Sequence, residues 1–177
     1  MSETSQYIAF IIILLGFIIL LSISLPNRVG APFVPTRMKK VRKMLEMAKI
    51  QPGDTVYDLG CGDGRVIVMA ARKFGAKAVG IEIDPFRFLW CQFLITILGL
   101  RKKVKVKFGD FFKKDLSNAE VVFCYLLQST NDRLEEKLIQ ELSSTARIIT
   151  HTFIFVSLPL IDEDIDSRIY VYMKGEV

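Results

Sequence analysis

The sequence predicts an α/β protein, a doubly wound, mostly parallel sheet preceded by one transmembrane helix. Three observations carry this. From about residue 55 onward, short apolar runs of strand type alternate with longer runs of helix type, as in parallel sheets with helical crossovers. A glycine-rich turn, Gly60-Cys61-Gly62-Asp63-Gly64, joins the first strand of that series to its first helix. At the other end of the chain, Tyr7–Leu25 contains no charged residue.

The apolar stretch comes first. At ~1.5 Å per residue its length is about 28 Å, close to the ~30 Å of a bilayer's hydrocarbon core. Pro26 is expected to end the helix. A cleaved signal peptide fits less well, because Met1–Gln6 has no Lys or Arg and the apolar run exceeds the roughly 7–15 residues of a signal core. Glu3 precedes the span, whereas Arg28, Arg37, Lys39, Lys40, Arg42 and Lys43 follow it. The positive-inside rule therefore predicts a single-pass protein of the cell membrane with its globular domain facing the cytoplasm. The expected division is a span at 7–25, a connector at 26–35 and a domain at 36–177, large enough for one hydrophobic core. The net charge of +5 suits an anionic membrane surface or nucleic acid, and is also ordinary for many proteins. Three cysteines without C-x-x-C spacing and a single histidine, His151, leave no zinc constellation.

The domain opens with a basic amphipathic helix from Thr36 or Arg37 to about Lys49, with Met38, Val41, Met44, Leu45 and Ala48 on one face. Pro52-Gly53-Asp54 is a turn. Strand, helix, strand and helix are then expected at Thr55–Leu59, Arg65–Phe74, Ala78–Ile83 and Pro85–Leu98, the last with proline at its first position. Strands follow at Val104–Phe108 and at Val121–Leu126, the latter apolar enough to be buried on both faces. A helix at Asp132–Leu142 has Ser129, Thr130 and Asn131 as cap candidates. Strands at Arg147–Phe155 and Arg168–Met173 complete the series.

The chemistry is carried by Asp58-Leu59-Gly60-Cys61-Gly62-Asp63-Gly64, set between strand and helix. Glycines let a backbone turn sharply and approach a ligand where a Cβ would clash. Glu82, at the end of the second strand, is placed to accept ribose hydroxyls. A nicotinamide site would read G-x-G-x-x-G, but here the third glycine comes one position earlier and Asp58 stands before the first. Carboxylates around the turn suit a sulfonium carrying an ammonium group better than a pyrophosphate. The reading is an S-adenosyl-L-methionine (AdoMet) site. By likeness to the common AdoMet fold, Asp110 and Phe111, after the third strand, are the candidates for the adenine amino group and ring; a simple turn is the alternative.

With these motifs the chain resembles the class I AdoMet-dependent methyltransferases of Rossmann-like fold. The combination of PFVPT (Pro32–Thr36), VYDLGCGDGR (Val56–Arg65), AVGIEID (Ala78–Asp84), FGDFF (Phe108–Phe112), ARIITHTF (Ala146–Phe153) and IYVYMKGE (Ile169–Glu176) is similar to the small archaeal broad-specificity protein-lysine methyltransferases. Those are related to the mitochondrial enzymes that methylate a lysine of the ATP synthase c-ring protein. The resemblance implies lysine N-methylation of a protein, membrane-embedded or membrane-proximal, with Val34–Thr36 closing over the cofactor and Thr36 among its contacts. The chain departs from the soluble archaeal pattern on the substrate side. Thr152 stands where those proteins have glutamate, and Ile154–Asp166 is shortened.

Methylation of an amine needs a neutral nucleophile, and free lysine, with a pKa near 10.4, is neutral in only about one molecule in 2,500 at pH 7. Tyr125 and His151 are the candidate catalytic residues, one after the fourth strand and one near the end of the fifth; packing for Tyr125 and a satisfied structural histidine for His151 are the alternatives. The [N/D]-P-P-[F/Y] of nucleic-acid base methyltransferases is replaced by Cys124-Tyr125-Leu126-Leu127, so no nucleic-acid partner is expected. Phe86–Leu100 has few polar residues for a helix on a sheet's outer face, and Arg101, Lys102, Lys103, Lys105 and Lys107 follow it. Contact with a lipid bilayer is one reading of both features; burial under the basic helix and an ordinary solvated loop are the others. Two alternatives to lysine methylation stay open: a methyltransferase for a lipid or other membrane-partitioned small molecule, and a non-catalytic AdoMet-binding scaffold.

Overall fold

The computed structural model describes residues 3–29 and 31–175. In the first helix it describes the side chains of residues 3–17 and of Leu20. Gly30 of the connector and Glu176 of the terminal motif lie outside the described residues.

Helix α1 is Glu3–Val29. It passes through Pro26, which was expected to end it. A proline removes one helical hydrogen bond and strains one turn, and this helix continues three residues beyond. The stretch expected to span a membrane is thus helical, but most of its side chains past Phe17 are outside the described residues. Among the described residues, no helix is long and apolar enough to cross a membrane.

An extended segment, residues 31–37, leads to α2 (Met38–Met47). Its buried side chains Val41, Met44 and Leu45, with Ala48 one turn on, follow the i, i+3, i+4, i+7 spacing of a single helical face. Met38, expected on that face, is exposed. Arg147 holds the C-terminal end of α2. Its guanidinium donates to the carbonyl oxygens of Ala48 at 2.5 Å and Lys49 at 2.8 Å, and to Asp54 at 2.9 Å. Helix carbonyls left without intrahelical partners are thereby satisfied.

The strands are β1 (Thr55–Leu59), β2 (Lys77–Glu82), β3 (Val104–Phe108), β4 (Val121–Cys124), β5 (Arg147–His151), β6 (Leu160–Asp164) and β7 (Ile169–Met173). They form one sheet in the order β3-β2-β1-β4-β5-β7-β6. β3 to β5 are parallel, and β7 runs antiparallel between β5 and β6. Helices α3 (Arg65–Lys73), α4 (Pro85–Ile97) and α5 (Gln128–Glu141) supply the crossovers.

Side-chain alternation divides the core. Val56, Val121, Phe123 and Ile149 point to the face covered by α2, α3 and α4. Tyr57, Val122, Cys124 and Ile148 point to the face covered by α5. Successive residues of a strand project to opposite sides, so a strand buried on both faces reads as continuously apolar, as β4 does.

The edges differ in chemistry. β3 carries exposed Lys105 and Lys107, and β6 carries exposed Asp162 and Glu163. Strand β6 was not expected from the sequence. It lies inside the shortened segment Ile154–Asp166, is largely exposed, pairs with β7 as its one neighbouring strand among the described residues and is tied to α2 by the Lys43–Asp164 ion pair.

The sheet order reverses between β1 and β4. In open α/β sheets the ligand crevice lies outside the carboxyl ends of the strands at that switch point. Here the strands end at Leu59 and Cys124, so Gly60 and Tyr125 stand at its floor.

Candidate functional site: a cleft at the sheet switch point

A cleft of about 790 Å³, counted with its open mouth, lies at this point. Its floor is the turn from β1 into α3. The N–H groups of Gly60 and Cys61 donate to the Ile81 carbonyl at 2.9 and 3.0 Å, clamping the turn to β2. Gly62 has φ +57° and a Cβ there would stand 2.6 Å from Cε2 of Phe33, so any other residue would strain the backbone and push the Phe33 ring aside. Gly64 caps α3 at φ +83°, and a Cβ would meet the Cys91 Sγ at 3.0 Å.

Three carboxylates surround the turn. Asp58 is buried, and among the described residues no salt bridge reaches it. Burial, reinforced by Glu82 and Asp63, pushes its carboxyl up to about 8. A carboxylate held so far from its ordinary range calls for a cation. Glu82 is also buried. Its Oε2 accepts from the Gly62 N–H at 2.7 Å, and its Oε1 from the N–H groups of Ile83 and Asp84 at 3.0 and 2.9 Å. Burial raises its carboxyl above the usual range, against the lowering effect of those N–H groups. Burial would raise Asp63 too, but Arg65 outweighs it and keeps that carboxyl below its ordinary value. The Arg65 Nε lies 2.9 and 3.1 Å from the two Asp63 oxygens.

The extended segment before α2 forms the roof, with Ala31 to Thr36 lining the cleft. The Arg87 guanidinium lies 4.5 Å from the centre of the Phe33 ring and is itself held by Asp84 at 2.6 Å. Arg65 donates to the Thr36 carbonyl oxygen. Roof and floor are therefore joined through two arginines.

Of the residues expected to hold the cofactor, Thr36, Asp58, Gly60, Gly62, Glu82 and Phe111 line this cleft. Gly64 sits just behind it as the α3 cap. The Asp110 Oδ1 accepts from the Phe112 N–H at 2.9 Å, capping a short 3-10 turn at Phe111–Lys113, and Asp110 is not among the lining residues. Tyr125 lines the cleft, with its ring 4.3 Å from that of His151. His151 is buried behind it. Its Nε2 lies 2.7 Å from the Lys40 Nζ, and its Nδ1 is buried without a hydrogen-bond partner among the described residues. Burial, with Lys40 and Arg168 nearby, lowers its pKa to about 4. A lysine ammonium donating to Nε2 leaves the ring proton on Nδ1, so His151 is a neutral donor at pH 7. Next to it, Thr152 has φ +74°, an outlier for a β-branched residue.

Sequence reasoning missed Phe33, Asp63, Arg65 and Arg87. Phe33 belonged to a recognised segment and Arg65 to a recognised motif, but only the fold brings them together. Asn131 was read as a cap. Instead it lies in the first turn of α5, buried, with neither amide atom hydrogen-bonded among the described residues.

The residues fit S-adenosylmethionine. Asp58 would take its ammonium, Glu82 its ribose hydroxyls and Phe111 its adenine face, against a turn in which a Cβ would fill the space.

Comparison with known proteins agrees. Residues 58–160 match the ANTKMT methyltransferase domain family. A protein-lysine N-methyltransferase of Saccharolobus islandicus is 40% identical over 82% of this chain and 94% of its own length. The Homo sapiens lysine N-methyltransferase that acts on the ATP synthase c-ring protein is 32% identical over 73% of this chain. The match spans 54% of that human protein, about half its length. Among solved structures, an RNA methyltransferase from Salinibacter ruber in complex with S-adenosyl-L-homocysteine superposes with a TM-score of 0.75. It is 36% identical and covers 81% of this chain and 95% of its own.

Proposed function

This chain belongs to the ANTKMT methyltransferase domain family and is an AdoMet-dependent methyltransferase, and on that premise we propose that it methylates lysine side chains of proteins. The observation that carries this reading is the pairing of Tyr125, in the cofactor cleft, with a neutral His151 behind it. The relative that matches nearly end to end, at 40% identity, is a protein-lysine N-methyltransferase.

AdoMet, when bound, would supply a methyl carbon on a sulfonium, whose sulfur leaves as a neutral thioether when an amine bonds to that carbon in line. The chain's own residues must bind the donor and admit a lysine in its neutral form, its proton having passed to solvent. Asp58 and Glu82 hold the donor's charged and polar parts, and the roof from Ala31 to Thr36 limits water. The surroundings that keep His151 uncharged, burial with Lys40 and Arg168 close by, would also favour the neutral form of a lysine arriving beside Tyr125. His151 positions the Tyr125 ring by packing its own ring against it rather than acting as a base. Correct placement supplies much of the remaining rate enhancement.

The test uses purified full-length protein and methyl-labelled AdoMet. Cell extract, separated membranes, total RNA and total lipid are offered in parallel. Label in protein that yields methyl-lysine on acid hydrolysis supports the proposal. Label confined to RNA, the acceptor class of the Salinibacter relative, or to lipid would replace it, and no label in any arm would point to a binding scaffold.

We also infer that α1 anchors the protein in a membrane with the domain on the cytoplasmic side. The charge-free run Tyr7–Leu25 and the basic residues after it support this. Release of the full chain from membranes by alkaline carbonate would count against it. A protein substrate in or near the bilayer is the corresponding proposal.

A further inference from the structure

Helix α4 carries apolar side chains on two faces, and one of them packs into the core. Cys91 and Ile95 point into the core, with Phe88 packed beside them. Phe86, Leu89, Trp90, Phe93 and Ile97 follow the i, i+3, i+4, i+7, i+11 spacing of a second stripe. They are 64, 63, 46, 56 and 61% exposed. An isolated exposed apolar side chain is ordinary, but a contiguous stripe of five marks a surface that meets something.

The surroundings of the stripe identify the partner. From Pro85 to Lys103 there is no Asp or Glu. Exposed Arg101, Lys102 and Lys103 follow the helix directly. On its flank, a groove lined by Trp90, Leu94 and Leu98 is bordered by Arg72 and Lys73 at the end of α3, and the one acid of its lining, Asp63, is neutralised by its ion pair with Arg65. Lys105 and Lys107 do not belong to this surface, because they alternate away from Val104 and Val106, which pack on the α4 side of β3. The apolar α1 lies against α4. An apolar stripe bordered by cations, on a helix that α1 also contacts, has the chemistry of an interfacial helix on anionic lipid.

We propose that the outer stripe of α4 lies in the headgroup region of an anionic bilayer, a second contact that fixes the orientation of the domain on the membrane. This rests on the reading of α1 as an anchor. Phe86 and Leu89 enter the acyl boundary, Trp90 sits at the headgroup level, and Arg101–Lys103 meet lipid phosphates.

The chain contains a single tryptophan, so intrinsic fluorescence reports on this stripe. Full-length protein is reconstituted into phosphatidylcholine vesicles with phosphatidylglycerol as the anionic component, with or without brominated acyl chains, and attachment is read by flotation. The expected result is flotation with a blue-shifted Trp90 emission that brominated lipid quenches at least twofold. Leu89→Asp with Phe93→Asp should still float and bind AdoMet but lose the quenching. Protein that floats with unquenched Trp90 overturns the α4 contact and leaves the anchor standing. Protein that fails to float overturns both. A blue shift that instead follows protein concentration in detergent, without bromolipid quenching, assigns the stripe to contact between copies and also overturns the proposal.

Discussion

The Nζ of Lys40 stands 2.7 Å from the Nε2 of His151, tying α2 to the carboxyl end of β5. Because His151 is buried and faces Lys40 and Arg168, its pKa falls to about 4, below the ordinary 6.5. The folded protein thus prefers the neutral ring. The corresponding stability is present above pH 6.5 and drains away as pH falls from 6.5 toward 4. Between pH 7 and pH 5 the wild type should lose about 2 kcal/mol through this one group. His151→Gln should show that much less loss when urea unfolding is compared at the two pH values. Lys40→Met should raise the His151 pKa toward 6.5 in an NMR titration, and Lys40→Arg should not.

Asp58 runs the other way. Its carboxyl is raised from 3.8 to about 8, so the fold favours the protonated form. That contribution is complete below pH 3.8 and erodes as pH climbs to about 8. Asp58→Asn should therefore stabilise the ligand-free protein at pH 8 by about 2–3 kcal/mol, a rise of several degrees in Tm. The same substitution should cut AdoMet affinity at least 100-fold. Wild-type affinity should increase with pH up to about 8 as Asp58 ionises. Calorimetric titration across pH 6–9 and differential scanning fluorimetry check both halves.

Gly62→Ala meets two obstacles, a φ of +57° and Cε2 of Phe33 at 2.6 Å. We expect a loss of about 1–3 kcal/mol in stability and of at least tenfold in AdoMet affinity. Combined with Phe33→Ala, the steric part should be relieved while the backbone part remains. A double-mutant cycle on binding separates the two.

Thr152, at φ +74°, holds a conformation that glycine adopts at no cost. Thr152→Gly should stabilise the fold by about 1 kcal/mol, the relieved strain exceeding the added entropy of the unfolded chain. Unchanged or lower stability in chemical denaturation would show that the threonine side chain makes compensating contacts.

Most of the fold was legible because its elements are buried in regular patterns. β1 and β3 begin and end where the apolar runs do, since five buried or alternating residues leave little choice of register. β6 escaped because Leu160–Asp164 is largely exposed and acidic, and its strand character comes only from the neighbour it pairs with. α5 begins at Gln128, four residues before the predicted start, with no side-chain cap at Leu127. Packing of Asn131 into the interior overrides its preference for a cap. In the site, the glycine turn, Asp58 and Glu82 could be read because their spacing is local to two strand ends. Phe33, 29 residues before Gly62 in the chain, could not, because its place over the turn is a tertiary contact. The carboxylate near adenine was expected at Asp110, whose Oδ1 caps the short turn that begins at Phe111, a local bond that the sequence reading allowed as a simple turn.

The two rims of the sheet bear opposite charge, lysines on β3 and acids on β6. Two copies that met by the same rim would repel, so twofold strand pairing is discouraged. Unlike rims attract, and head-to-tail contact of that kind adds copies in a ring or an open row. Crowding of this protein at low ionic strength would thus favour head-to-tail assemblies, dispersed by ~0.1 M salt, where the screening length is about 10 Å.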